Sequence, residues 1–94
     1  MTAAELERLA LLMEECAEVQ QCIGKILRFG FDSSYPEREA LTNRRELAKE
    51  MADLRVAMNL LLDKGDVDLQ EFYDFEGEKL ENINKYLKHN HVNI

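Results

Sequence analysis

Residues 11–29 read LLMEECAEVQQCIGKILRF, and residues 43–64 read NRRELAKEMADLRVAMNLLLDK. In both, the large apolar side chains recur at intervals of three and four, the period of an α-helix, with none of the alternation of a half-buried strand. Extending outward, the pattern predicts helices over Ala3–Phe29, Arg44–Lys64 and Leu69–Lys88. Each opens on a capping-box spacing, Thr2…Glu5, Asn43…Glu46 and Asp68…Glu71, in which a short polar side chain takes one orphan N–H and the Glu reaches back. Gly30 and Gly65 stand where a left-handed residue closes the first two helices. The chain is therefore expected to be all-α, an antiparallel bundle of three long helices forming a single domain over residues 1–94.

The connector Phe31–Thr42, FDSSYPEREALT, is polar and contains Pro36, the one proline of the chain. Within it, Ser34…Glu37 can cap a single helical turn running through Glu39 or Leu41. The turn from Asp63 to Val67 is short enough to make the second and third helices antiparallel neighbours. The tail, His89–Ile94, has no periodic pattern and is expected to fray.

The 94 residues carry 12 Lys+Arg against 19 Asp+Glu, a formal charge of −7. That balance argues against binding a nucleic-acid polymer, whose phosphates are met by clustered Lys and Arg, and against adsorption to an anionic membrane. No apolar run approaches the roughly 18 residues of a membrane span. The first residues, MTAAELERLA, carry acids where a secretory signal carries bases. Cys16 and Cys22 form no CxxC pair; both are expected as small core residues. A cytoplasmic protein is expected.

The placement of the acids is more informative than their number. Set at about 100° per residue, Leu11, Val19, Cys22 and Ile26 fall within about 40° of Glu15, and Glu18 about 60° to one side. On the second helix Leu54, Ala57 and Leu61 fall within about 40° of Glu50, and Asp53 about 60° away. Acids are seldom buried, so an acid, three residues and an acid inside an apolar stripe, twice over, is unusual. If the stripes face each other, Glu15, Glu18, Glu50 and Asp53 converge, and carboxylates that close must take up protons or bind cations. An oxygen-only ligand set selects a hard divalent ion, Mg²⁺ with Mn²⁺ as substitute. Glu14, at the edge, is equally suited to be a ligand, a water-orienting base or a surface residue. Glu46 is best read as the capping partner of Asn43.

Positive charge near this stripe is a candidate for binding an anionic substrate. Lys25 lies two turns beyond Glu18 on the same face. On the third helix Phe75, Lys79, Asn82 and Tyr86 cluster within about 60°, offset from the core line of Leu69, Phe72, Leu80, Ile83 and Leu87. That stripe suits either a nucleotide or a partner subunit. His89-x-His91 lacks a third ligand. No Glu-x-x-His of a di-iron bundle and no Gly-rich phosphate loop is present.

Glu14-Glu15-Cys16-Ala17-Glu18 followed by Glu50-Met51-Ala52-Asp53 resembles the EExxE…ExxD signature of the MazG-like all-α nucleoside triphosphate pyrophosphohydrolases. Lys25-Ile26-Leu27-Arg28-Phe29-Gly30, closing the first helix, and Asn43-Arg44-Arg45-Glu46-Leu47, opening the second, are similar too. Asn82-Ile83-Asn84-Lys85-Tyr86 is similar to the Asn-x-x-Arg-Tyr pattern of compact members, with Lys85 in place of the Arg. The resemblance implies Mg²⁺-dependent cleavage of a nucleoside triphosphate to the monophosphate and pyrophosphate. Carried over by position, Glu15, Glu18, Glu50 and Asp53 are the metal ligands and Glu14 joins them or orients water. Lys25, Lys79, Asn82, Lys85 and Tyr86 are then the substrate-binding candidates. House-cleaning of nucleotide pools and hydrolysis of a signalling nucleotide such as ppGpp both fit. From another class, a non-catalytic helical interaction module would keep the scaffold without binding metal.

The first helix is apolar over more than one face, with Leu6, Leu9, Leu11, Leu12, Met13, Val19, Ile23, Ile26 and Leu27. Such a helix needs partners on two sides, so the bundle is expected to be completed by oligomerisation, as a homodimer or homotetramer.

Overall fold

The computed structural model describes residues 1–93 and contains, in chain order, α1 (Ala3–Phe29), a 3₁₀ turn (Pro36–Arg38), α2 (Asn43–Asp63), α3 (Leu69–Asn82) and a second 3₁₀ turn (Ile83–Lys85). No strand is present among the described residues. The described chain is all-helical, and no helix among the described residues is long and apolar enough to cross a membrane.

The helix ends follow from local chemistry. Thr2 forms a reciprocal capping box with Glu5, and Asp68 accepts the Glu71 N–H at 2.9 Å. Gly30 (φ 92°) and Gly65 (φ 76°) both take positive φ at the exits from α1 and α2, but Gly30, with ψ 165°, is extended and not the left-handed helical residue expected. At the start of α2 the cap is Thr42, whose hydroxyl accepts the Arg45 N–H, and not Asn43. Asn43 lies inside the helix, and its amide donates to the Gly30 carbonyl at 3.1 Å. The short turn begins at Pro36 without a side-chain cap, so the expected Ser34 cap is not formed. Proline at the first position supplies a preset φ and removes a donor that had no partner.

The connector is held down by α2. The first-turn N–H groups of Asn43 and Arg44, orphaned by helix geometry, donate to the carbonyls of Ser33 (2.9 Å) and Phe31 (2.7 Å). Cys22, buried on α1, donates from its thiol to the Asn43 carbonyl at 3.7 Å. Burial, then the nearby Glu46 carboxylate, push that thiol's pKa up. Asn43 is thus the junction of α1, connector and α2, and it is buried.

The α1–α2 pair is the packed unit, and its buried apolar residues are Cys22, Ala57 and Leu61. The expected closed three-helix bundle does not form within one chain: α3 does not run along either helix. It meets the pair through its first turns, where Phe72 and Val67 join Leu12, Met58, Leu61 and Leu62 around an apolar cavity of about 180 Å³. The exit direction is set by the turn, where Arg8 on α1 grips Asp66 through Nη2–Oδ1 at 2.8 Å and Nε–Oδ2 at 2.5 Å. The result measures 43 × 39 × 17 Å, with a radius of gyration of 16.5 Å. A compact chain of this length has about 12 Å.

α3 is also shorter than the expected Leu69–Lys88. Its end is a competition for backbone partners: Asn82 Nδ2 donates back to the Glu78 carbonyl at 2.8 Å, a bond that favours leaving the helix. Asn84 then exchanges two hydrogen bonds with Val92, donating to its carbonyl at 2.9 Å and accepting its N–H at 2.8 Å. The tail through Asn93 is therefore tied back, contrary to the expected fraying; Ile94 lies outside the described residues.

Many apolar groups stay exposed. Met13 is 71% and Leu27 82% accessible on α1, Val56 61% on α2 and Phe75 65% on α3. Cys16, expected in the core, is exposed beside Leu9, Met13 and Ala17.

Candidate metal centre

α1 and α2 present their acid pairs to each other. One carboxylate oxygen from each of Glu15, Glu50 and Asp53 lies within 4.8 Å of the others. Glu50 is 8% accessible, and its Oε2, together with Glu15 Oε2, is buried with no hydrogen-bond partner. A buried charged oxygen without a partner is strongly unfavourable.

The fourth expected ligand, Glu18, is not among the three clustered acids. Its carboxyl interacts with that of Glu50, and that interaction first, then burial, raise its pKa above the ordinary glutamate range. Glu15 is raised chiefly by burial, then by the charges of Asp53, Glu50 and Glu14. Glu14 itself is exposed. The cluster is thus short of positive charge, and its proton affinity is a direct symptom of that shortage.

One cation does reach it. Lys49 Nζ lies 3.0 Å from Asp53 Oδ2 and 3.5 Å from Glu50 Oε1, and these acids raise its pKa. Its i,i+4 spacing to Asp53 is the sequence signal that marks it. Lys49 leaves the two orphaned oxygens unanswered, being largely exposed itself.

Lys25 pairs with Glu46 and not with the clustered acids. Its Nζ is 3.5 Å from Glu46 Oε1 and 5.6 Å from the centroid of the Tyr35 ring. Glu46 therefore serves as the partner of Lys25, not as the capping partner of Asn43. On α3 and the turn after it, Phe75, Glu78, Lys79, Asn82 and Tyr86 line one concavity, with Lys79 Nζ 4.6 Å from the Tyr86 ring centroid. Lys85 is not part of its wall. No acid of the cluster lines that concavity either, so one chain does not bring the α3 candidates to the acids.

A divalent cation fits the residues present. Three oxygen donors come from two rigid helices, two oxygens lack any other partner, and no soft ligand is among the clustered acids. No family model, curated protein or solved structure matches the chain. The chemistry of the carboxylates therefore carries the functional reading.

Proposed function

We propose that the chain is a Mg²⁺-dependent nucleoside triphosphate pyrophosphohydrolase, releasing the monophosphate and pyrophosphate. The observation that carries this reading is the convergence of Glu15, Glu50 and Asp53 with two buried carboxylate oxygens left without partners.

Glu15, Glu50 and Asp53 would hold the ion, with Glu18 one turn from Glu15 on α1 and interacting with Glu50. When bound, a divalent ion neutralises phosphate oxygens and makes a coordinated water more acidic. The protein's own share is positional. Helices α1 and α2 fix the carboxylates, and the burial of Glu50 limits water on its side of the cluster. Glu14, exposed one residue from Glu15, is free to accept the proton of an attacking water. Lys25 supplies positive charge two turns along α1 from Glu18, with Glu46 keeping its ammonium in place. The MazG-like resemblance of the EECAE and EMAD segments supports the same assignment.

The exposed apolar residues support a homo-oligomer. Their spread over α1, α2 and α3 supports burial against another copy, which would also cover α3 and could bring Lys79, Asn82, Lys85 and Tyr86 toward a neighbour's acids. Light scattering at micromolar concentration is expected to give at least twice the 10.9 kDa chain mass. A mass of one chain contradicts this part of the reading.

The activity is tested by incubating the chain with a panel of ribo- and deoxynucleoside triphosphates and Mg²⁺, and separating pyrophosphate from orthophosphate. Pyrophosphate with the matching monophosphate is expected. Orthophosphate alone, or no product across the panel, overturns the proposal.

A further inference from the structure

A cleft about two helical turns from the acids enters the chemistry above only through Lys25. It is walled by Lys25 and Phe29 at the end of α1, Ser33, Ser34 and Tyr35 in the connector, and Asn43 at the start of α2. Its volume is about 170 Å³. Closed apolar cavities of about 150 Å³ accept a benzene ring, so this one has room for a single planar ring.

Its walls are of the kind that bind heteroaromatic rings: mostly apolar, with a few fixed polar groups. Phe29 and Tyr35 offer two aromatic rings, 61% and 49% accessible, at a position where neither is needed in the core. Tyr35 is held by two cations, with Lys25 Nζ and the Arg38 guanidinium each 5.6 Å from its ring centroid. Asn43 is buried and rigid, its Nδ2 fixed to the Gly30 carbonyl. Its Oδ1 and the hydroxyls of Ser33 and Ser34 have no hydrogen-bond partner among the described residues. A donor–acceptor edge is thus left open beside an aromatic face.

The position matters as much as the lining. Asn43 precedes Glu50 by two turns of α2, about 10 Å along the axis. Lys25 follows Glu18 by the same rise on α1. A ring in the cleft and phosphates at the acids would therefore be separated by about the length of a nucleoside, with Lys25 on the cleft wall.

We propose that this cleft is a base-recognition pocket for a single-ring, pyrimidine-type nucleobase, stacked on Tyr35 and read at its edge by Asn43, Ser33 and Ser34. The assignment rests on the nucleotide reading of the acids, and its test is kept separate from turnover.

The test is amide chemical-shift mapping of the full chain with cytidine, uridine and thymidine, and separately with adenosine and inorganic tripolyphosphate. Saturable shifts at Ser33, Ser34, Tyr35 and Asn43 are expected with a pyrimidine nucleoside, and none there with tripolyphosphate plus Mg²⁺. Tyr35→Ala is expected to weaken nucleoside binding about 10-fold, the scale of one base–aromatic stack. Ser34→Leu, which fills the cleft, is expected to abolish it. Both variants should keep wild-type helicity and Mn²⁺ binding. Binding without pyrophosphate release from any triphosphate supports the cleft and removes the hydrolase reading. No pyrimidine shift at millimolar nucleoside, tighter adenosine binding, or unchanged binding in both variants overturns the cleft assignment even if the chain is an active hydrolase.

Discussion

Glu50→Gln is expected to lower turnover of nucleoside triphosphates by roughly 10³-fold, the scale of losing one designed electrostatic partner at a reacting phosphate. The same change is expected to raise the melting temperature of the metal-free chain. Both follow from one geometry. Glu50 is 8% accessible, its Oε2 has no partner, and it is crowded by the carboxyl groups of Glu18, Glu15 and Asp53. Gln keeps the shape, removes one of the crowded charges, and gives Glu18 an N–H donor in place of a second carboxylate. A residue retained against folding stability is retained for function. Steady-state kinetics and thermal melts monitored by circular dichroism in a chelator check the two halves. Retained turnover, or a lower metal-free melting temperature, contradicts the assignment.

Mg²⁺ at about 100 times its dissociation constant is expected to stabilise the chain by about 2.7 kcal/mol, because the ion binds the folded state alone. For a domain this size that is a rise of about 10 °C or more in melting temperature. The metal-free chain should show the reverse sensitivity to pH. Glu15 and Glu18 bind protons more tightly folded than unfolded, the unfolded value being near 4.5. Below that value both states are protonated and nothing is lost; as pH rises through the higher folded values, only the folded state must create charge against charge, and stability falls. Glu5 and Asp66 act oppositely: the Thr2 backbone and Arg8 hold their pKa values down, so their stabilisation is present at neutral pH and lost on acidification. The metal-free optimum is therefore expected on the acid side of neutrality. With Mg²⁺ the optimum should move toward neutrality, since the ligands must be deprotonated to bind. Melts from pH 4 to 8, with and without the ion, check this; the same optimum in both contradicts it.

The helices were legible because each carries a strong local signal. Thr2…Glu5 and Asp68…Glu71 mark the starts of α1 and α3, and Gly30 and Gly65 mark exits that require positive φ. The acid pairs were legible because three-residue spacing inside an apolar stripe survives any detail of packing. What escaped depends on contacts between segments. Asn43 reads as a cap by residue type, yet tertiary bonds to Gly30 and Cys22 draw it into the helix and leave capping to Thr42. Glu46 reads as its capping partner, yet Lys25 across the pair claims it. The length of the turn after Asp63 suggested an antiparallel third helix. The direction of α3 instead follows from Arg8 gripping Asp66, a pairing that periodicity cannot encode. The cleft at Tyr35 was hidden for the same reason, since the connector takes its form from the orphan N–H groups of α2.

The central claim is that Glu15, Glu50 and Asp53 form a divalent-ion site. Electron paramagnetic resonance of Mn²⁺ titrated into the chain tests it without reference to any substrate. The free-ion signal is expected to disappear, saturably, with wild-type protein, to be restored by excess Mg²⁺, and to persist with Glu50→Gln. An undiminished free-ion signal in the presence of millimolar wild-type chain would contradict it.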